Sequence, residues 1–185
     1  MFLSIKNIPK VLWSSDKPLN LKPKISTFFF LCFGLTLFGL GEGLLIVSTA
    51  GASPWSVLAQ GIHLNIGFSV GVTTILISIV VLIFWFPLNQ KPGIGTILNA
   101  LIIGLMIDIC IKSVPTPENY ISQLFLAFIA VLTVGLGGGI YLVANLGAGP
   151  RDGLMIGLQK KTNLPIAAVR AFLEITVMSI GWYLG

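Results

Sequence analysis

The sequence predicts an all-α membrane protein of about five spans plus two short re-entrant or half-depth helices, arranged as an inverted-topology repeat. Three observations carry this reading. The first is composition: of 185 residues, 55% are hydrophobic and only 9% are charged, with a mean hydropathy of +0.97. A soluble domain carries roughly 25% charged residues. The second is an internal repeat: Gly39–Gly61 reads GLGEGLLIVSTAGASPWSVLAQG, and Gly135–Gly157 reads GLGGGIYLVANLGAGPRDGLMIG. At a shift of 96 residues, Gly39, Leu40, Gly41, Gly43, Val47, Gly51, Ala52, Pro54, Leu58 and Gly61 each meet an identical residue. The matches are mostly glycine and proline, so the repeat preserves a backbone bend. The third is the placement of charge, taken up below.

Residues 1–24 form a basic amphipathic segment with five lysines among Phe2, Leu3, Ile5, Val11, Leu12 and Trp13. No apolar run followed by a small-residue cleavage site is present, so it is not a signal peptide. It reads as a cytoplasmic, interfacial segment with Trp13 as a head-group anchor. Span one covers about Ile25–Ser48, long enough to cross the hydrocarbon core. The Gly51-Ala52-Ser53-Pro54 bend follows. Pro54 suits the first turn of a new helix, where a missing N–H is harmless. That helix, to about Asn65, is apolar but too short to cross. Span two is about Phe68–Leu88. After the Lys91 loop, Gly93-Ile94-Gly95-Thr96 opens span three, with Thr96 as its N-cap, to about Ile111. Pro115 and Pro117 mark a loop. Span four is about Ile121–Leu146, and Gly147-Ala148-Gly149-Pro150 is the second bend. A short, more polar helix covers Arg151–Lys161, and span five starts near Leu164. Repeat one is thus residues 25–112 and repeat two 121–185, with no counterpart of span three in the second. The expectation is a truncated product or a partner chain filling that place.

With the amino terminus in the cytoplasm, nine of the eleven lysines and arginines fall on the cytoplasmic side, leaving Lys112 outside and Arg170 within span five. Three crossings then separate the two bends, which face opposite sides. That is the architecture of many secondary transporters. Basic charge here faces lipid head groups rather than nucleic acid. Cys32 and Cys110 lie in apolar runs, so no disulfide is expected. One histidine and two such cysteines make no ordinary zinc site. No nucleotide-binding or hydrolase motif occurs, so neither a cofactor nor enzymatic activity is expected.

The paired glycine-rich helices followed by Gly-Ala-x-Pro, the Gly-Ala-Gly-Pro-Arg-Asp-Gly of the second copy and the Gly-Ile-Gly-Thr after the middle loop resemble the YczE/YyaS/YitT group of bacterial multi-pass membrane proteins. The resemblance runs over about Ser26–Gly185. It implies a protein of the bacterial cytoplasmic membrane with about six spans. The carboxy-terminal Gly-Ile-Gly-Thr helix usual in that group is not in this sequence.

Candidate functional residues follow from burial of charge in lipid and from broken helices. Backbone groups freed at a bend must be buried in protein or line a wet cavity. The restarted helices present N–H groups and a positive dipole end. The expected path for a solute or ion is therefore Glu42, Gly51, Pro54, Gly147, Pro150, Arg151, Asp152, Arg170 and Glu174. Glu42 reads as a proton-accepting or cation-coupling group, or else as a hydrated interfacial carboxylate. Arg151 strengthens the field of the second bend, Asp152 either shares the path or instead caps the helix, and the bends themselves read as a site or as tight turns at helix boundaries. Arg170 and Glu174, four residues apart, read as a neutralising pair, structural or coupled to helix movement. Asp108 and Lys112 read as a second local ion pair, and His63 as a solvated interfacial histidine. The Gly39/Gly43 and Gly135/Gly139 pairs read as close helix packing, or as the crossing point that flanks a substrate path. The expected partners are the lipid bilayer, a small-molecule or ion substrate, and another copy or a partner subunit. Transporter or exporter is the leading expectation; a membrane scaffold or accessory subunit is the alternative.

Overall fold

The computed structural model describes residues 11–185, and these form seven α-helices in order: α1 Ile25–Val47, α2 Pro54–Ile66, α3 Val70–Trp85, α4 Ile94–Ser113, α5 Tyr120–Ala144, α6 Pro150–Thr162 and α7 Ile166–Leu184. No strand occurs among the described residues. Four helices (α1, α4, α5 and α7) are long and apolar enough to cross a membrane. The shorter α2 and α3 pass that test together, bent by 110° at their junction. The first ten residues of the expected basic segment lie outside the described region. Trp13 stacks on Phe30 of α1 with ring centroids 4.5 Å apart, so it packs on protein rather than standing free as an anchor.

The 96-residue shift maps helix onto helix. It carries Pro54–Ile66 onto Pro150–Thr162 at both ends, and places the start of α3 at the start of α7. α1 and α5 each lead into their bend through a left-handed residue, Thr49 (φ 55°) and its counterpart Asn145 (φ 53°). α2 and α6 both end on left-handed caps, Gly67 and Asn163.

Contacts also come in matched pairs. α1 crosses α5 where a Cβ at Gly34 would lie 2.9 Å from the Gly137 carbonyl oxygen. A Cβ at Gly41 would lie 2.9 Å from the oxygen of Ala130. Residues 34 and 130 are counterparts, as are 41 and 137, so the second contact is the first with the repeats exchanged. The same exchange relates α2 on α7 to α6 on α3: a Cβ at Gly61 would sit 3.0 Å from the Leu184 Cβ, and one at Gly157 would sit 2.9 Å from the Leu88 Cβ.

The close packing expected of the GxxxG pairs is found for Gly39/Gly43 and not for Gly135/Gly139. Gly39 and Gly43 face α4, against Ile103, Met106 and Cys110, while Gly34, Gly41 and Gly137 make the α1–α5 crossing. Gly135 and Gly139 face open space. The apolar windows of α5 and α7 are each only 17% buried, against 44% for α1 and 39% for α4. That difference follows from α4, which packs against both α1 and α3, while no described helix packs in the same way against α5 and α7.

Two further expectations are overturned. Asp108 makes no ion pair with Lys112, because its carboxylate reaches across to α3. There it accepts from the Gly71 N–H at 2.8 Å and from the Ser69 hydroxyl at 2.5 Å. It secures the start of α3, where backbone donors lack helical partners. Thr96 is not the cap of α4: Gly93 is, and the Thr96 hydroxyl reaches back to accept from the Gly93 N–H at 3.0 Å.

Two outcomes test this packing. Gly137→Leu forces a side chain into the α1–α5 backbone contact and should cost about 1–3 kcal/mol. Gly135→Ala should leave the melting temperature of the detergent-solubilised protein unchanged; equal losses at both positions would contradict the crossing. Asp108→Ala should destabilise by about 1–3 kcal/mol through loss of its hydrogen bonds from Gly71 and Ser69 at the start of α3, with Lys112→Ala neutral in the same melting assay.

Candidate functional site at the two bends

The two bends deliver their following helices to one cavity of about 450 Å³. Glu42, Ser53, Pro54 and Trp55 come from the first half, and Tyr141, Gly149, Arg151 and Asp152 from the second. Thr74 and Ser78 of α3, Asn99 of α4 and the Arg170/Glu174 pair of α7 complete its polar lining.

Glu42 lies in α1 with 4% of its surface exposed. It is Gly138 in the second copy, so the repeated scaffold does not require it. Two hydroxyls hold it: Ser56 donates at 2.6 Å and Ser53 at 2.8 Å, both to Oε2. Ser53 is also the N-cap of α2 and accepts from the Ser56 N–H at 3.3 Å. The carboxylate is thus tied to the bend and to the restarted helix through the same two serines. A carboxylate this buried needs such donors to stay in place.

The second half is built differently. Gly149, the counterpart of Ser53, gives α6 a cap without a side chain. Asp152 does not cap α6 as expected, because it accepts a hydrogen bond from the Tyr141 hydroxyl. Arg151 lies over the ring of Trp55, 5.1 Å from the ring centroid. Residues 55 and 151 are counterparts in the repeat, so the two copies meet there. Arg170 and Glu174 pair at 2.8 Å as expected, although their side chains are 67% and 36% exposed. That pair is therefore half-open to its surroundings, not deeply buried.

Six of the nine expected site residues line the cavity: Glu42, Pro54, Arg151, Asp152, Arg170 and Glu174. Three do not, because they shape the bends. Gly51 is exposed with nothing around it. Gly147 (φ 116°) turns the second bend against Gly93 and Thr96. The carbonyl of Pro150 accepts from the Trp85 indole at 2.9 Å. His63 lies at the far end of α2, where its ring contacts the Phe68 carbonyl. Trp55, Tyr141, Asn99 and the two serines were not singled out from sequence. The counterpart of Arg151 is Trp55, and that pairing was the available signal.

The second bend is locked from outside the repeat unit. The Gly95 N–H donates to the Leu146 carbonyl at 2.8 Å, and the Thr96 hydroxyl to that of Ala148 at 2.7 Å. Ser15 N–H donates to Ala144 O at 3.0 Å, and the Ser14 hydroxyl to Val143 O at 2.7 Å. No group of three or more His, Cys, Asp or Glu side chains suited to a metal occurs among the described residues.

Such a fold defines an integral, polytopic helical membrane protein with a cavity of mixed apolar and polar lining between its helices. More particularly, the chain belongs to the family of unknown function DUF6198, which it matches over residues 25–185. It is 38% identical over 181 residues to an uncharacterized protein of Haemophilus influenzae, covering 98% of this chain and 82% of that one. It is 33% identical over 161 residues to the uncharacterized membrane protein YczE of Bacillus subtilis, covering 86% and 74%. It is 31% identical over 144 residues to the uncharacterized protein YyaS of the same organism, covering 74% and 72%. No solved structure matches.

Thr96 tests the lock on the second bend. Thr96→Val keeps shape but leaves the buried Gly93 N–H and Ala148 carbonyl without this partner, at a cost of about 1–3 kcal/mol. Thr96→Ser should recover most of the loss in thermal melting. A wild-type melt for the valine variant would remove Thr96 from this role.

Proposed function

We propose that the protein is a small-solute transporter or exporter of the bacterial cytoplasmic membrane, with its amino terminus in the cytoplasm and its two repeats inverted across the bilayer. One observation carries the reading: the cavity forms where both broken helices restart, and it holds an almost wholly buried carboxylate. Binding sites of inverted-repeat transporters lie at the repeat interface, between discontinuous helices. The exchange-related contacts at Gly34/Gly137 and Gly41/Ala130 support a two-fold relation between the repeats. The distribution of lysine and arginine supports the orientation. Ionisable groups inside a membrane protein are candidates for ion or substrate coupling, and Glu42 is the one tied directly to a bend.

A second reading has its own observation. The open glycines Gly135 and Gly139 leave α5 with a face that accepts a close helix, as Gly39 and Gly43 of α1 accept α4. That face suits a scaffold or accessory subunit held against another membrane helix. Crosslinking from Gly139→Cys in native membranes distinguishes the readings: capture of a defined partner subunit favours the accessory role.

Transport is tested in proteoliposomes by following internal pH while solutes are added in pools under imposed gradients. Wild-type protein should give solute-dependent proton or charge movement, and Glu42→Gln should lower the rate at least tenfold. No flux with any pool, together with an indifferent Glu42→Gln variant, would sink the transport reading. Orientation is tested by maleimide labelling on a background without Cys32 and Cys110. Gly51→Cys and Pro92→Cys should label from opposite sides, since the Pro92 loop lies beside the second bend.

A further inference from the structure

We infer that the cavity takes a small zwitterion, an amino acid with an apolar side chain, with its carboxylate at the start of α6 and its ammonium at Glu42. The inference rests on the reading of this cavity as the solute site and names the class of solute.

The anionic half of the ligand is specified first. α6 starts with Pro150, which has no N–H, after a glycine cap without a side chain. Its first internal hydrogen bond runs from the Gly153 N–H to the Gly149 carbonyl at 2.9 Å. The N–H groups of Arg151 and Asp152 therefore stand ahead of the helical ladder, at the positive end of the helix. Beside them is the Arg151 guanidinium. Among the described residues the only ion pair is Arg170–Glu174, so no carboxylate neutralises Arg151 at contact distance. The Trp55 ring holds its face and leaves its edge donors for a planar acceptor.

The cationic half is specified by Glu42. Both serine hydroxyls donate to Oε2, and Oε1 accepts from neither. No buried side-chain oxygen or nitrogen among the described residues lacks a hydrogen-bond partner. Oε1 is therefore not sealed in protein but opens on the cavity that Glu42 lines. The side chain is otherwise buried, and Oε1 is the acceptor that the two serines leave free.

Charge bookkeeping separates the classes. Arg170 and Glu174 cancel, leaving Glu42 and Asp152 against Arg151, a net of one negative charge. A simple anion meets that excess, and a simple amine leaves the Arg151 guanidinium and the open N–H groups of α6 without an acceptor. A zwitterion satisfies both unpaired groups at once. Leu45, Val131, Val134, Leu142 and Met155 supply apolar wall for a side chain, and about 450 Å³ lies within the range of small-molecule sites.

The test measures binding apart from translocation. Protein in lipid nanodiscs is titrated with leucine and phenylalanine, with 3-methylbutylamine (leucine without its carboxylate) and with 4-methylpentanoate (leucine without its amine). Trp55 fluorescence is the readout and Trp55→Phe the blank. Leucine or phenylalanine should give saturable quenching, with the amine and the acid each at least tenfold weaker. Arg151→Gln should abolish discrimination against the amine, Glu42→Gln discrimination against the acid, and Arg151→Lys should recover part of the first. Equal affinity for leucine and its amine, equal affinity for leucine and its acid, or no binding of either amino acid to monodisperse protein each overturns the inference. Amino-acid binding without flux in proteoliposomes would sink transport and leave the site. Flux of another solute without amino-acid binding would do the reverse.

Discussion

The constraint on which the rest depends is the satisfaction of backbone groups where two helices break inside an apolar body. Each unpaired carbonyl or N–H in hydrocarbon costs several kcal/mol, of order 4–8 by transfer to an alkane. The two bends meet this requirement by different means. The first relies on itself: the Ser48 hydroxyl donates to Leu45 O at 2.6 Å, and that of Thr49 to Ser48 O at 2.7 Å. The second relies on distant chain, on Gly95, Thr96, Trp85, Ser14 and Ser15. Hence Gly51 can stand open, while the second bend is enclosed by the start of α4, the end of α3 and the segment before α1. Sequence duplication kept the bends alike, and the surroundings made them unlike.

Glycine and proline hold the common geometry, and the chemistry sits where the copies diverge. Around the cavity, Glu42 faces its counterpart Gly138, Ser53 faces Gly149, Trp55 faces Arg151 and Ser56 faces Asp152 in the alignment. The first copy supplies a carboxylate and the hydroxyls that hold it. The second supplies a guanidinium and an uncapped helix start. A duplicated scaffold with identical side chains would place like charges against each other where counterparts meet. Replacing one by tryptophan turns that repulsion into a cation–aromatic stack.

Much of the fold was legible in sequence. Hydropathy and run length pick out α1, α4, α5 and α7 as spanning, whereas the span expected at Phe68–Leu88 is the shorter α3, which is long enough only together with α2. Pro54 and Pro150 fix where α2 and α6 begin, because a helix tolerates proline in its first turn. The polar partnerships were less legible. Asp108 at four residues from Lys112 suggested a local pair, yet the carboxylate prefers donors on α3, which no spacing rule within α4 reveals. Asp152 behaves likewise: its position favours capping, and the Tyr141 hydroxyl takes it instead. Gly135 and Gly139 carried the same motif as Gly39 and Gly43 but have no helix to receive. A GxxxG motif states that a helix can be approached closely, and only the tertiary arrangement states by what. Glu42 and Arg151 were readable because ionisable groups are costly in lipid wherever they fall.

The serines that hold Glu42 give the cavity a mechanical property as well as a charge. Oε2 is fixed to the cap of α2, so the ionisation state of the carboxylate and the attachment of the bend to α1 are linked through the same two hydrogen bonds. A protonated carboxyl is a weaker acceptor than a carboxylate, because hydrogen bonds to ionised groups are about twice as strong as neutral ones. Adding a proton or a cationic group at Glu42 therefore loosens or redirects the tie between α1 and α2. The second half has its own tie, the Tyr141 hydroxyl donating to Asp152, which joins α5 to the start of α6. The second bend is held in addition by hydrogen bonds to α4 and to residues 14 and 15, and the first has no such added anchors. On the transport reading, movement would therefore start at the first bend, with the second as the fixed frame.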